Sequence, residues 1–173
     1  MELYAVNEKY DGYMRDGCVW KNDIDIYDKM AVQIRYAKNV QVSYSLTTYS
    51  PYEGYRIAFN GTRGRLDFWM HEKQSWKIED YDELMITDNF GDVEYLRLPR
   101  IEGNHFGGDP LMLEKIFGDP SKPDPLQQAA NVRDGAMSIL IGVAARKSID
   151  EKRTVRIKEL TDIVPQSTKP NEG

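Results

Sequence analysis

The chain has 173 residues, of which 29% are charged, with a formal net charge of −5 and one cysteine, Cys18. The acidic balance and the scattered lysines and arginines argue against nucleic acid or an anionic membrane as the main partner, because either would need a basic patch. No apolar run approaches the roughly 20 residues that span a bilayer, and a single cysteine, which allows no internal disulfide, is typical of a reducing compartment. We therefore expect one cytoplasmic domain over residues 1–165, followed by a polar tail over 166–173.

Residues 1–28 show no clear periodicity but are rich in tyrosine and tryptophan. They predict an irregular aromatic arm with a short strand. We expect this arm to lie against another part of the protein, because so many aromatic rings are rarely left in water.

Apolar and polar residues alternate over four segments between Lys29 and Trp69, which is the pattern of strands with one buried face. The apolar positions are Met30, Val32, Ile34, Tyr36, Val40, Val42, Tyr44, Leu46, Tyr55, Ile57, Phe59, Leu66 and Phe68. The connections between the segments are too short for parallel crossovers. The sequence thus predicts an antiparallel meander with one apolar face.

After the meander, His71 to Asp92 is polar and predicts a loop. Val93 to Leu98 alternates again and predicts a fifth strand, which Pro99 ends. Thr154 to Ile157 is a candidate edge strand, and one further helical turn is expected within Lys158 to Ile163.

Three helices are predicted in the second half of the chain. Asp109-Pro110 is a helix-start signal for a short helix that ends at Gly118, with Asp109 as the cap and Pro110 at the first helical position. Asp124-Pro125-Leu126-Gln127 has the form of a capping box and opens a second helix. Asn131 to Ser148 is the longest helical pattern, and its broad apolar stripe predicts that it covers the apolar side of the meander. The expected fold class is therefore α+β, an open, predominantly antiparallel sheet covered on one face by two or three helices.

The common catalytic signatures are missing, and the chain has only two histidines. His71 lies in a polar stretch, which predicts that it is a solvated loop residue. His105 and Asp109 flank Phe106, Gly107 and Gly108 between a strand and a helix start, where glycines let the backbone approach a ligand closely. Two interpretations stay open: a ligand-binding mouth, or a sharp turn in which Asp109 caps its helix and His105 bonds a nearby carbonyl.

Two further surfaces also allow two interpretations each. The polar side of the meander, represented by Gln33, Ser43, Ser45 and Thr47, is either solvated or a contact surface for another subunit. An aromatic turn around Pro51, with Tyr49, Tyr52 and Tyr55, either gates a pocket or packs on the arm.

Four stretches in this order resemble the C-terminal part of the Gfo/Idh/MocA oxidoreductases, the family of glucose–fructose oxidoreductase and inositol dehydrogenase. They are residues 10–28, Glu53 to Leu66 within the meander, His105 to Asp109, and Asp134 to Ile149. The resemblance covers nearly the whole chain.

The resemblance implies the substrate-binding and oligomerisation domain of an NAD(P)-dependent enzyme that acts on a sugar-like molecule. Relatives carry NAD(P) on an N-terminal Rossmann domain, which this sequence lacks, and no catalytic residue or cofactor site of this chain can be assigned from them. His105, Gly107, Gly108 and Asp109 match a segment near the sugar pocket, although Phe106 stands where a glycine is common. Lys152 also replaces a common turn glycine, a change that costs little if the residue need not adopt positive φ.

We therefore expect an inactive isolated domain that self-associates through the polar sheet face and binds no nicotinamide cofactor. The alternative is a free-standing binding or scaffold protein derived from that domain. A third hypothesis is a cofactor-independent hydrolase or isomerase that uses His105 and Asp109.

Overall fold

A computed structural model describes residues 2–15, 17–101, 104–119 and 121–166. The chain forms two compact units. Unit 1 comprises Met1–Gln33 and Ser43–Tyr49, and unit 2 comprises Ile34–Val42 and Ser50–Gly173. The polar tail expected over 166–173 lies outside the described residues except for Gln166.

Unit 1 begins with two one-turn helices, α1 (Glu2–Ala5) and α2 (Glu8–Asp11). The short strand expected before residue 29 was wrong: the described residues of this segment contain helical turns and irregular backbone instead. The Trp20 ring stacks on the Tyr49 ring with centroids 4.5 Å apart, and the Tyr49 hydroxyl donates to the Val19 carbonyl over 2.9 Å. Tyr49 therefore packs on the aromatic arm, one of the two interpretations of the tyrosine turn.

The first two predicted strands are confirmed. They are β1 (Lys29–Arg35) and β2 (Gln41–Thr47), which pair as a two-stranded antiparallel sheet through a 3-10 turn at Ala37–Asn39. Lys38 and Asn39 both have positive φ in this turn. The left-handed conformation reverses the chain within three residues, as a tight hairpin requires.

A separate antiparallel sheet follows in unit 2, with the strand order β3-β4-β5-β6. Its strands are β3 (Glu53–Asn60), β4 (Gly64–Lys73), β5 (Tyr81–Asp88) and β6 (Val93–Pro99). The predicted loop over 71–92 was wrong, because β4 extends to Lys73 and β5 fills the second half of that segment. The single four-stranded meander over 29–69 is corrected as well: strands β1 and β2 form one sheet, and β3 and β4 belong to the other.

The register of this sheet places apolar side chains from all four strands on one face. Ile57 lies opposite Phe68, Phe68 opposite Leu84, and Leu84 opposite Leu96. Side chains that face each other across antiparallel strands point to the same side, so this row crosses all four strands. Met70, on the same side of β4, is buried with 4% of its surface exposed.

A glycine is required where β3 and β4 pair at the irregular end of the hairpin. Gly54 has a φ of +156°, and a Cβ atom there would overlap the Met70 carbonyl oxygen. The register also shifts between Glu53 and Gly54. A side chain at residue 54 would push the strands apart.

Two helices complete unit 2, α3 (Gly108–Phe117) and α4 (Val132–Glu151), and both lie in segments where a helix is predicted. Asn131 caps α4 through a capping box, since its side chain accepts from the Asp134 amide while the Asp134 carboxylate accepts from the Asn131 amide. Ala144 is buried, and the neighbouring stripe residues Leu140 and Ile141 are half-buried. The α+β class with open antiparallel sheets is thus confirmed.

The helix expected after Asp124 was wrong. The Asp124 carboxylate accepts from the backbone amides of Gln128 and Ala129, and Gln127 has a φ of +50°. A left-handed residue within the first turn prevents the helix from propagating, so the cap closes a turn. The edge strand expected at Thr154 to Ile157 is also absent, because that segment is irregular and leads into a 3-10 turn at Ile157–Glu159.

Candidate functional site

A left-handed turn brings His105 to the start of helix α3. His105, Phe106 and Gly107 have φ values of +50°, +56° and +78° in succession. Such a conformation disfavours residues with a Cβ by about 1 kcal/mol or more each. Gly107 is buried, and a Cβ there would overlap the Ile101 side chain, so the turn needs a glycine at its last position.

His105 and Asp109 are brought together by this turn. The His105 Nδ1 atom lies 2.7 Å from the Asp109 Oδ1 atom, and the two residues are four apart along the chain. The His105 side chain is 84% exposed and the Asp109 side chain 34%. The sequence-predicted pair is therefore a contact in the structure, at the surface of unit 2.

The way in which α3 starts differs from the prediction. Gly107 is the N-cap and contributes no side-chain hydrogen bond, Gly108 is the first helical residue, and Asp109 is the second. Pro110 is therefore the third helical residue, not the first. Neither change disturbs the helix, because the first four amides have no intrahelical acceptor and a carboxylate in the first turn suits the helix dipole.

The arrangement allows simple acid–base and hydrogen-bonding chemistry. An ionised carboxylate only accepts hydrogen bonds, so Asp109 holds His105 with Nδ1 as the donor. In the neutral imidazole with Nδ1 as the donor, the Nε2 atom is an acceptor toward solvent, suited to the hydroxyl of a ligand. The exposed backbone at Gly108 adds free helix-start amides next to this ring.

The second histidine was wrongly expected in a solvated loop. His71 lies on strand β4, and its ring centroid is 4.1 Å from that of Trp69 and 5.6 Å from that of Trp76. Tyr52 contacts all three rings, at 5.5–6.2 Å. The Arg56 guanidinium lies 3.8 Å from the Trp69 ring centroid. We call these five residues the aromatic cluster.

The aromatic cluster lies at the end of the β3–β4 hairpin where β3 begins and β4 ends. The pairing of Arg56 with Trp69 and of Gly54 with His71 places them on one side of the hairpin. The His71 Nε2 atom is buried without a hydrogen-bond partner among the described residues. The density of aromatic residues between 52 and 76 was the available signal, but it does not show that the rings meet.

The four polar residues singled out on the two-stranded sheet are all exposed. Gln33, Ser43, Ser45 and Thr47 have no neighbour that buries them, and the Ser43 hydroxyl donates to the Gln33 Oε1 atom over 2.8 Å. Ser43, Ser45 and Thr47 lie on one face of β2, as their alternate spacing requires. The structure thus presents them as one polar surface of unit 1.

Two further features of the described residues bear on function. No group of three or more histidine, cysteine or acidic residues among them is arranged to hold a metal ion. None of their helices has the length and the apolar character needed to cross a bilayer. Cys18 is free and exposed.

Comparison with known proteins gives a match over most of the chain. Residues 3–157 match the family model described as "Oxidoreductase family, C-terminal alpha/beta domain". This confirms the Gfo/Idh/MocA resemblance, and the matched domain is not the part of these enzymes that binds the cofactor. No solved structure shows significant similarity to the chain.

One curated relative is the "Putative oxidoreductase YteT" of Bacillus subtilis (strain 168). It is 34% identical to this chain over 156 residues, which is 87% of the chain. The same alignment covers 36% of the relative, so the chain spans about a third of the length of the protein it matches.

Proposed function

We propose, from the premise that the chain belongs to the C-terminal α/β domain of this oxidoreductase family, that it binds the substrate and mediates oligomerisation in an NAD(P)-dependent enzyme acting on a sugar-like molecule. The nicotinamide cofactor is carried by a Rossmann domain in the full-length relatives, and hydride transfer requires it to be held against the substrate. The isolated chain neither binds the cofactor nor turns over. The enzyme works in the cytoplasm, which the single, unpaired Cys18 supports.

One observation carries the substrate-binding role, the contact between His105 and Asp109 at the start of α3. Gly107 and Gly108 lie between them and allow a ligand to approach the backbone closely. His105 offers an acceptor to a sugar hydroxyl, and the helix-start amides offer donors to a second one. A polyol with neighbouring hydroxyls matches this alternation of donors and acceptors.

Nuclear magnetic resonance with the isolated chain tests the substrate site. Sugars, inositols and sugar acids are added in turn at millimolar concentrations, and the amide signals of Gly107, Gly108 and Asp109 are followed. We expect saturable shifts with at least one class, reduced at least tenfold in affinity by His105→Ala, because the Nε2 acceptor is lost and Asp109 is released.

The control is Glu94→Gln on the exposed strand β6, which should bind like the wild type. If no member of the panel shifts these amides, or if His105→Ala binds as well as the wild type, the substrate-binding role is wrong. Calorimetry with NAD⁺ and NADP⁺ serves as a second check, and binding of either would contradict the division of roles between the two domains.

The oligomerisation role concerns the polar surface of Gln33, Ser43, Ser45 and Thr47. Small hydroxyl and amide groups on a strand allow two flat sheets to approach closely, and a two-fold axis would place the same surface on both partners. We expect self-association at tens of micromolar in sedimentation experiments. Ser45→Arg should abolish it, whereas Ser45→Thr should not. Sedimentation of the wild type as a monomer would contradict this role.

A further inference from the structure

Helix α3 carries a set of exposed large apolar side chains. Five of its ten residues are large and apolar, and all five are exposed; they are Leu111, Met112, Leu113, Ile116 and Phe117. Phe117 is 80% and Leu111 66% exposed. Single exposed apolar residues are normal, but a contiguous set on one short helix marks an interaction surface.

The helix rotation shows which side of α3 needs a partner. At about 100° per residue, Met112, Leu113, Ile116 and Phe117 fall within one arc of about 140°. Glu114 and Lys115 lie on the opposite side, together with Leu111. We call the surface of Met112, Leu113, Ile116 and Phe117 the apolar arc.

Residues of the loop that follows α3 form ion pairs with the side of the helix opposite the apolar arc. Lys122 pairs with Glu114, and the Lys115 Nζ atom lies 3.5 Å from the Asp124 Oδ2 atom. Asp124 is itself held by two backbone amides. Lys122 and Asp124 therefore hold the polar side of the helix, while the apolar arc is exposed among the residues that the structure describes.

We propose that the apolar arc of α3 packs against the cofactor-binding domain of the full-length enzyme. This inference rests on the proposed function. The chain spans 36% of the relative's length, so a larger part of such an enzyme lies outside these residues. Helix α3 begins at the His105–Asp109 pair, and a nicotinamide can meet a substrate held there only if its domain comes close to this helix.

The size of the surface favours a linked domain over a second copy of the chain. Stable complexes of separate chains bury about 1,600 Å² in total, far more than one side of a ten-residue helix offers. Domains joined in one polypeptide need less, because the linkage raises their effective concentration.

A chimera tests this inference. The part of the Bacillus subtilis relative that precedes its matching segment is joined ahead of the complete chain, and amide hydrogen exchange of α3 is compared between the chimera and the isolated chain. We expect exchange in α3 to slow at least tenfold in the chimera. Phe117→Glu should return it to the rate in the isolated chain, since a carboxylate cannot be buried against an apolar surface.

The chain offers a matched control for that substitution. Phe90 lies in the turn between β5 and β6 and is fully exposed, at 105%. Phe90→Glu should leave the slow exchange of α3 in the chimera unchanged. Circular dichroism of both variants of the isolated chain verifies that neither substitution unfolds it.

The results distinguish between the possible partners that pack against the apolar arc. Equal exchange of α3 in the chimera and in the isolated chain would overturn the inference, as would protection that survives Phe117→Glu. Protection that rises with the concentration of the isolated chain would assign the apolar arc to a second copy and also overturn it. The sugar-induced shifts at Gly107 and Gly108 are read separately, so loss of those shifts with α3 still protected would refute the substrate-binding role and leave the domain contact standing.

Discussion

Helices α3 and α4 belong to the same unit. They differ in how many of their terminal backbone groups are capped and in how much of their apolar surface is buried. α4 has a capping box at its start, and at its end the Ser148 hydroxyl donates to the Arg153 carbonyl over 2.6 Å. It also buries Ala144. α3 starts at Gly107 without a side-chain cap and leaves its large apolar residues in water.

The difference shows that forming a helix and burying it are separate problems. Backbone hydrogen bonds and terminal side chains are local, so a short segment can complete them by itself. Burial of an apolar stripe needs a surface from elsewhere, and most of the stability of a protein helix comes from that packing. α4 buries part of its stripe at Ala144, whereas all the large apolar residues of α3 are exposed.

The largest expected difference in the free energy of unfolding is between one substitution on α4 and one on α3. Ala144→Glu places a carboxylate where only 9% of the residue is exposed, and we expect it to lower the free energy of unfolding of unit 2 by about 3 kcal/mol or more. Phe117→Glu at the exposed end of α3 should change it by less than about 0.5 kcal/mol in the isolated chain. Urea unfolding followed by circular dichroism measures both, and similar losses would mean that α3 is buried as α4 is.

A smaller effect of opposite sign is expected at the end of α4. Lys152 caps the helix with a φ of +54°, so the condition under which this lysine would cost little is not met: the residue does adopt the left-handed conformation. Lys152→Gly should raise the free energy of unfolding by roughly 1 kcal/mol, because glycine has no Cβ penalty there.

Ser138→Gly is the matched control for that change, since it introduces the same residue at an exposed position inside α4. There the glycine should lower the free energy of unfolding by about 0.5 kcal/mol, because the helical conformation gains nothing from it. Thermal unfolding of both variants measures the two signs. A destabilising Lys152→Gly would contradict the left-handed cap.

The smallest effect is the response to acid of Glu159, which lies in the 3-10 turn Ile157–Glu159 after α4. Hydrogen bonds from Arg153, and then from the Arg156 amide, lower the pKa of Glu159 from its ordinary 4.5 to about 2. Because the folded-state pKa is lowered, the stabilisation is fully present above pH 4.5 and is lost as the pH falls toward 2. The group is at the surface, so the effect is modest.

Comparison of the wild type with Glu159→Gln over this pH range measures the loss. The difference between their free energies of unfolding should shrink below pH 4.5 and vanish near pH 2. Arg153→Gln removes the other member of the pair and should show the same convergence. A difference that stays constant from neutral pH to pH 2 would show that the ion pair does not form.

The elements that the sequence did not predict are those whose interaction partners lie far away along the chain. Strand β5 was missed because its segment carries acidic residues and little alternation, yet Asp82 is paired with Arg100 over 2.6 Å and β5 is hydrogen-bonded on both sides. Asp124 does cap backbone amides as its sequence signal predicts, but Gln127 adopts a left-handed conformation and no helix follows. His105 and Asp109 lie four residues apart and were singled out together from the sequence, but only the structure shows that they contact each other.

The sequence by itself determined helices α3 and α4, the strands with clear alternation, and the family. Only the tertiary structure decided that β1 and β2 form their own sheet, that β5 completes the other, and that His71 lies among Tyr52, Trp69 and Trp76. The physical reason is the range of the interactions. Capping and periodicity act within a few residues, whereas strand pairing and ring packing join residues whose spacing along the chain carries no regular pattern.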